Sequence, residues 1–205
     1  MKEFKRLKRE FFVRDTKIVA KELLGNYLVR KTKKGLIIGK IVEVEAYLGP
    51  YDKASHSYNY KKTDRTKIMY MKPGTFYIYL IYGLHFCLNV ITEPEDIPCA
   101  VLIRQLYPID GIELMIKNRN IKIGKNYKNL TDGPGKLCMA LDITKRKFNG
   151  TDSCSHNSKL FFIEGEKIKD NSIFTQKRIG INYAEEDKDR LLRFTLKNKN
   201  FNVVN

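Results

Sequence analysis

Two carboxylates stand two residues apart in the stretch Ile41 to His56, which reads I-V-E-V-E-A-Y-L-G-P-Y-D-K-A-S-H. Side chains of a β-strand alternate between its faces. Glu43, Glu45 and Tyr47 therefore share one face, and Val42, Val44 and Ala46 take the other, where they can enter a core. Gly49-Pro50 ends the strand. A carboxylate beside an aromatic ring at a strand end is where a mechanism is to be sought. Its setting is unusual, because the chain has 39 Lys+Arg against 23 Asp+Glu and a net charge of +16. Acidic groups fit poorly on a surface for polyanions unless they do chemistry. The plain alternative for Glu45 is a solvent-facing strand residue. A glycosidase-like pair of Glu43 and Glu45 fits less well. Same-face neighbours on one strand lie about 6.5–7 Å apart, whereas such enzymes set their two carboxyls across a cleft.

A second cluster of chemistry-bearing residues is the run T-F-Y-I-Y-L-I-Y-G-L-H-F-C-L-N from Thr75 to Asn89. It reads as a hairpin with Tyr77 and Tyr79 on one face, and Phe76, Ile78 and Leu80 on the other. Tyr82 falls at the turn, and Gly83 supplies the backbone freedom that a tight turn needs. An exposed turn tyrosine on a basic protein can wedge between bases. The alternative is a core hairpin whose turn tyrosine packs on a neighbouring loop.

The elements that must carry these residues follow from pattern and punctuation. Asp15 is expected to cap a helix over Thr16 to Leu24, with Gly25 closing it. Strands are expected at Tyr27 to Arg30, Leu36 to Leu48, Thr75 to Ile81, His85 to Thr92 and Ala100 to Leu106. Later strands fall at Leu160 to Ile163, Lys177 to Ile181 and Leu191 to Leu196. Asp64 can cap a short helix reaching Met69. Ile109 to Ile116 and Gly135 to Leu141 look helical. Lys136 sits just inside the second of these, where it could reach a phosphate. Residues 118–129 are basic and polar and read as a solvated loop. Residues 1–10 and 198–205 are expected to fray. The fold class is mixed α/β (α+β): a single domain, 1–205, with a curved, largely antiparallel sheet, peripheral helices and a protruding β-hairpin.

Composition narrows the function classes. A chain of 205 residues with 42% hydrophobic and 11% aromatic content is globular and builds one sizeable core. Its basic excess suits nucleic acid or an anionic surface, although a Lys-, Asn- and Ile-rich composition also inflates charge without function. The apolar run from Phe76 to Ile91 contains Gly83, His85 and Asn89 and is too short for a spanning helix. Cys87, Cys99, Cys138 and Cys154 have no C-x-x-C spacing and suit no zinc pattern. No metal or cofactor is expected. A reduced, cytoplasmic setting is the default, with nucleoid association if the source is bacterial.

Three blocks in order, V-E-V-E-A-Y-L-G-P…H, M-K-P-G-T-F-Y-I-Y-L-I-Y-G and D-G-P-G-K-L-C, resemble the alkyladenine (methylpurine) DNA glycosylase family. The resemblance runs from about residue 14 to 194. It implies a monofunctional DNA glycosylase of base excision repair, acting as a monomer on duplex DNA that contains damaged purines, alkylated or deaminated. Chemistry on a stacked base requires that the nucleotide be flipped out. By resemblance, Glu45 activates a water against C1′, and Arg104 helps to hold that water and a neighbouring phosphate. Tyr47 and His56 stack on one face of the flipped base and Tyr79 on the other. Tyr82 fills the gap in the duplex, and Asn89 clashes with the 2-amino group of guanine. Glu43 is left without a catalytic role. The backbone around Arg178-Ile179-Gly180-Ile181 is expected to approach the water. Competing classes are a non-catalytic nucleic-acid-binding module, the carboxylate-pair hydrolase above, and a bifunctional enzyme that uses a lysine nucleophile.

Overall fold

The structure, a computed structural model, describes residues 5–122, 127 and 129–197. The expected loose tail 198–205 and part of the basic loop, residues 123–126 and 128, lie outside the described residues. Eight strands form one sheet: β1 (Tyr27–Thr32), β2 (Gly35–Tyr47), β3 (Phe76–Ile81), β4 (His85–Thr92), β5 (Cys99–Asp110), β6 (Leu160–Ile163), β7 (Ile173–Gln176) and β8 (Arg193–Leu196). The spatial order is β3-β4-β5-β2-β1-β6, and β8 pairs with both β2 and β7. All of these pairings are antiparallel, and the sheet curls into a half-barrel.

β2 is the spine of the molecule. β5 runs along one of its edges, and β1 then β8 share the other. Register shifts on either side of Glu43 mark a bulge against β5, a device that re-aims side chains. Ile37, Ile41, Val42, Val44 and Ala46 enter the main core. There they meet α2 (Thr16–Leu23), and Phe76, Ile78, Leu137 and Phe162 join the same cluster. Because β2 is covered on both edges and both faces, Glu43 and Glu45 are buried as well. Gly49 follows it at φ +61, and a Cβ there would lie 2.8 Å from the Pro98 carbonyl. Only glycine lets the chain leave the strand so close to its neighbour.

The remaining helices are short: α1 (Arg9–Phe12), α3 (Ile112–Arg119), α4 (Pro134–Ala140) and α5 (Lys145–Phe148). Asp15 caps α2 as expected, accepting from the N–H groups of Lys17 and Ile18. Four local expectations change. Ile109 and Asp110 extend β5, and α3 begins only after Gly111 at φ +69. Residues 177–181 form no strand; the strand lies just before, in β7. The short helix near Asp64 is a 3-10 turn, Lys67–Tyr70, without an aspartate cap. Instead Thr63 and Thr66 exchange hydrogen bonds. The segment from Lys5 does not fray: Leu7 is buried and donates to Phe162 O, and Lys5 O accepts from Glu164 N. Among the described residues, no helix is long and apolar enough to cross a membrane.

Candidate active site

The chemistry gathers at the C-terminal half of β2. Glu45 has no exposed surface. Its Oε1 accepts from Ile179 N at 2.9 Å and lies 3.3 Å from Arg104 Nη1; its Oε2 accepts from the Tyr47 hydroxyl at 2.8 Å. Burial pushes this carboxyl above its ordinary range, while Arg104, the Ile179 N–H and Tyr47 pull it part of the way back. Glu43 accepts from Arg104 Nε at 3.0 Å and from Arg193 Nη1 at 3.3 Å. One guanidinium thus bridges two carboxylates, and Glu43 acts as an anchor for Arg104.

A third carboxylate completes the cluster. Asp52 and Arg178 form a fully buried two-pronged pair at 2.5 and 2.8 Å. Asp52 also accepts from the N–H groups of Leu48 and Ala54, and Arg178 donates to Ala46 O and Asp187 O. The guanidinium carbon of Arg178 lies 4.8 Å above the Tyr47 ring. This pair pins the loop after β7 against the end of β2, which places the Ile179 N–H on Glu45.

In front of the carboxylate lies a cavity of about 600 Å³, within the range of small-ligand sites. Its walls include Tyr47, His56, Tyr77, Tyr79, Asn89 and Arg104. The His56 loop is fixed by Ser57, whose hydroxyl donates to Pro98 O. The His56 ring meets Tyr79 edge-on, with 4.6 Å between centroids. Its Nδ1 lies 2.9 Å from the Tyr77 hydroxyl and its Nε2 3.2 Å from Arg65 Nη2. Arginine only donates, so Nε2 must accept and the proton sits on Nδ1. Burial and the Arg65 charge lower the His56 pKa to about 4, which keeps the ring neutral. Asn89, opposite Tyr77 in the β3–β4 register, donates to the Tyr77 carbonyl at 3.1 Å.

Tyr82 stands at the tip of the β3–β4 hairpin, 81% exposed, and also borders the cavity. Leu84 N donates to Ile81 O across the turn, with both Tyr82 (φ +53) and Gly83 (φ +68) in the left-handed region. Lys136, in the first turn of α4, is engaged within its own loop: Nζ contacts Asp132 Oδ1 at 2.8 Å and Asn129 Oδ1 at 3.1 Å.

Residues 10–200 match the model of the methylpurine-DNA glycosylase family. The chain belongs to this family. A Clostridium novyi protein named "Putative 3-methyladenine DNA glycosylase" is 49% identical over 205 residues, covering 96% of this chain and 98% of its own. Proteins of the same name from Clostridium perfringens and Desulfitobacterium hafniense are 50% and 48% identical, with the same coverage. The protein is therefore a DNA glycosylase, a hydrolase of N-glycosyl bonds in DNA.

For a methylpurine-DNA glycosylase, the placement of the expected residues is informative. Glu45, Tyr47 and Arg104 are brought into direct contact, and His56, Tyr79 and Asn89 line the cavity they face. One detail departs from the sequence reading. His56 and Tyr79 touch, so they form one wall; rings on opposite faces of a base would stand about 7 Å apart, twice an ordinary contact distance. Glu43, expected to have no catalytic role and to sit either behind the site or on the surface, takes the first place, because two arginines hold it in the interior. Arg65, Tyr77, Asp52 and Arg193 were not marked by the sequence as parts of this glycosylase site, and Arg178 was marked only through its backbone. Their partners lie up to 150 residues away, so no local pattern could single them out. The alternation had already set Tyr77 beside Tyr79, which was the one available signal.

Proposed function

We propose that this protein flips a damaged purine nucleotide out of duplex DNA into the aromatic cavity and hydrolyses its N-glycosidic bond with a water activated by Glu45, leaving an abasic site. The observation that carries this reading is a fully buried carboxylate, held from three sides, behind the wall of a cavity lined by aromatic rings. A carboxylate offers about four acceptor positions. Ile179, Arg104 and Tyr47 occupy three of them, and the fourth, on Oε2, is left for a water. Breaking the bond develops positive charge on the sugar, which the carboxylate stabilises while it takes the proton of the attacking water. Its raised pKa makes it a better base near neutrality.

The base slot lies between Tyr47 on one side and the joined His56–Tyr79 wall on the other. Aromatic faces favour electron-poor alkylated purines, and a neutral His56 adds no repulsion against a cationic base. A neutral deaminated purine needs protonation as it leaves. Asn89, fixed by the Tyr77 carbonyl, is placed to obstruct the 2-amino group of guanine. Tyr82 fills the gap that the flipped nucleotide leaves. Lys136 would have to exchange Asp132 for a phosphate to contribute. Among the described residues no lysine lines the cavity, which supports water rather than a Schiff-base lysine as nucleophile, and a monomer suffices because one chain supplies every group.

The deciding experiment is Glu45→Gln assayed on duplexes with 3-methyladenine, 7-methylguanine, hypoxanthine or ethenoadenine. Base release is expected to vanish while lesion-duplex binding persists. Release at the native rate would refute the mechanism. Borohydride is expected to trap no covalent adduct on abasic DNA; a trapped adduct would establish a lysine nucleophile.

A further inference from the structure

The aromatic cavity accounts for little of the basic excess, since among the described residues Arg65 and Arg104 are the only Lys or Arg lining it. A separate cavity of about 480 Å³ is lined by Arg30, Lys31, Lys33, Lys34, Lys159 and Asp142, among others. It lies at the other end of β2, where the β1–β2 turn is up to roughly 35 Å from Glu45 at 3.3 Å per residue. It also lies on the other face of the sheet. Arg30 is paired with Ile37, which enters the main core with Val42 and Val44, away from Glu45. Leu114 and Asn118 of α3 line this cavity, and Phe148 of α5 lies 4.7 Å from the Arg30 guanidinium.

Arg30 is what distinguishes this place from a solvated patch of lysines. The residue is only 8% exposed. Its Nη1 donates to the Lys31 carbonyl, while its Nε is buried without any partner. Nη2 makes no hydrogen bond among the described residues. Nη2 is the donor left open to an oxyanion, since Nε is sealed from solvent. A buried donor without an acceptor is costly; Asp142, the one carboxylate lining the cavity among the described residues, hydrogen-bonds Lys147 and attracts Arg30 only through space. Lys31, Lys33, Lys34 and Lys159 are exposed and form no ion pair among the described residues. Lys31 N donates to Lys159 O at 2.8 Å, and Thr32 shapes the turn through Lys34 N and Gly35 O. Four cations are thereby held around one half-satisfied guanidinium.

We propose that this cavity binds phosphodiester groups of a second nucleic-acid segment, so that one molecule holds a duplex at the aromatic cavity and another at the β1–β2 end. An oxyanion seated there gives Arg30 Nη2 an acceptor. Four lysines spread around it suit successive phosphates of a polyanion better than a single small anion. A duplex engaged in front of Glu45 would have to wrap around the sheet to reach this face, so the phosphates come from another segment.

The test uses the full-length native protein, a donor-labelled duplex with a non-cleavable abasic analogue, and an acceptor-labelled undamaged duplex. Energy transfer between the two duplexes is expected. In Lys33→Glu/Lys34→Glu/Lys159→Glu, affinity for the second duplex should fall at least roughly tenfold, and its log–log salt slope by about 2–3, near 0.9 per lost phosphate contact. Base release from a methylated duplex should stay unchanged, which separates this proposal from the reading of the active site. The charge-matched variant Lys8→Glu/Lys17→Glu/Lys169→Glu should keep the transfer. Arg30→Met, checked for folding by thermal melts, should weaken it with every lysine in place. The proposal is overturned by absence of transfer in the native protein or by equal loss in the charge-matched variant. It is also overturned if inorganic phosphate binds the cavity while no second duplex does.

Discussion

A carboxylate with no solvent contact must be balanced by its neighbours, and under the proposed mechanism the balance at Glu45 sets the pH at which the enzyme works. Burial raises its pKa, and Arg104 is the strongest of the opposing influences. Base release should therefore fall with decreasing pH through an apparent pKa above the ordinary carboxylate range. Arg104→Met should move that limb to higher pH, because the charge that favours ionisation is gone; a limb moving to lower pH would contradict the assignment. His56 carries the opposite perturbation, with a pKa lowered to about 4 by burial and by Arg65. Between that value and the usual 6.5, the unfolded chain binds the proton and the native site does not. Stability contributed by neutral His56 is thus present above pH 6.5 and lost as pH falls towards 4, by a few kcal/mol at about 1.4 per unit. Arg65→Met removes one of the two causes and the donor that fixes the tautomer. It should raise the His56 pKa partway and add an acid limb to the rate profile. The check is the pH dependence of kcat/KM alongside an NMR titration of the imidazole; an unmoved His56 pKa would remove Arg65 from the site.

Elements position these residues with different margins. The Asp52–Arg178 pair joins the end of β2 to the loop after β7, with both partners fully buried. Removing either one strands a buried charge, at about 3–5 kcal/mol. Arg178→Met should lose that much in urea unfolding and also slow base release, since the Ile179 N–H loses its anchor. Asp52→Asn combined with Arg178→Met should lose less than the sum of the two. The hairpin tip is strained instead of clamped. Tyr82 is a bulky residue at φ +53, a conformation that costs about 1–2 kcal/mol, and it is exposed, so little packing offsets that cost. Tyr82→Asn should raise stability by up to about 1 kcal/mol while weakening lesion-duplex binding; a destabilised variant would mean that the tyrosine packs in solution. The same elements show what a sequence discloses. The alternation and Gly-Pro stop of β2, the Asp15 cap and the tyrosine hairpin are local signals, and all were legible. Whether Glu43 sat behind the site or on the surface was left open, because its arginines come from β5 and β8. R-I-G-I at residues 178–181 mimics a strand, but Gly180 at φ +79 breaks it, and its value lies in one N–H aimed at Glu45. The rings of His56 and Tyr79 were assigned to opposite walls by resemblance, which carries no distances for this chain.

At the scale of the whole molecule, the charge of +16 acts on folding and on binding with opposite signs. Self-repulsion destabilises the compact state. The interior is not its source, since the buried cluster around Glu45 pairs three carboxylates with three guanidinium groups. The excess lies on the surface, where lysines such as Lys31, Lys33 and Lys34 have no anionic partner among the described residues. Salt shortens the Debye length from about 10 Å at 0.1 M to about 3 Å at 1 M, which screens that repulsion. It also weakens the exposed ion pairs, such as Lys5–Glu164 and Lys177–Asp189, but each is worth at most about 1 kcal/mol. The net effect should be a Tm that rises with sodium chloride in the free protein. Binding to undamaged duplex should fall steeply over the same range, because affinity from phosphate contacts is carried by counterion release. Base release under single-turnover conditions with saturating DNA should change little, since Glu45, Arg104 and the Asp52–Arg178 pair are shielded from bulk ions. Melting curves, duplex titrations and single-turnover rates across one salt series separate the three terms. A Tm that falls with salt would place the decisive charges in surface ion pairs, and a single-turnover rate that falls in step with affinity would mean that the interior cluster is open to solvent.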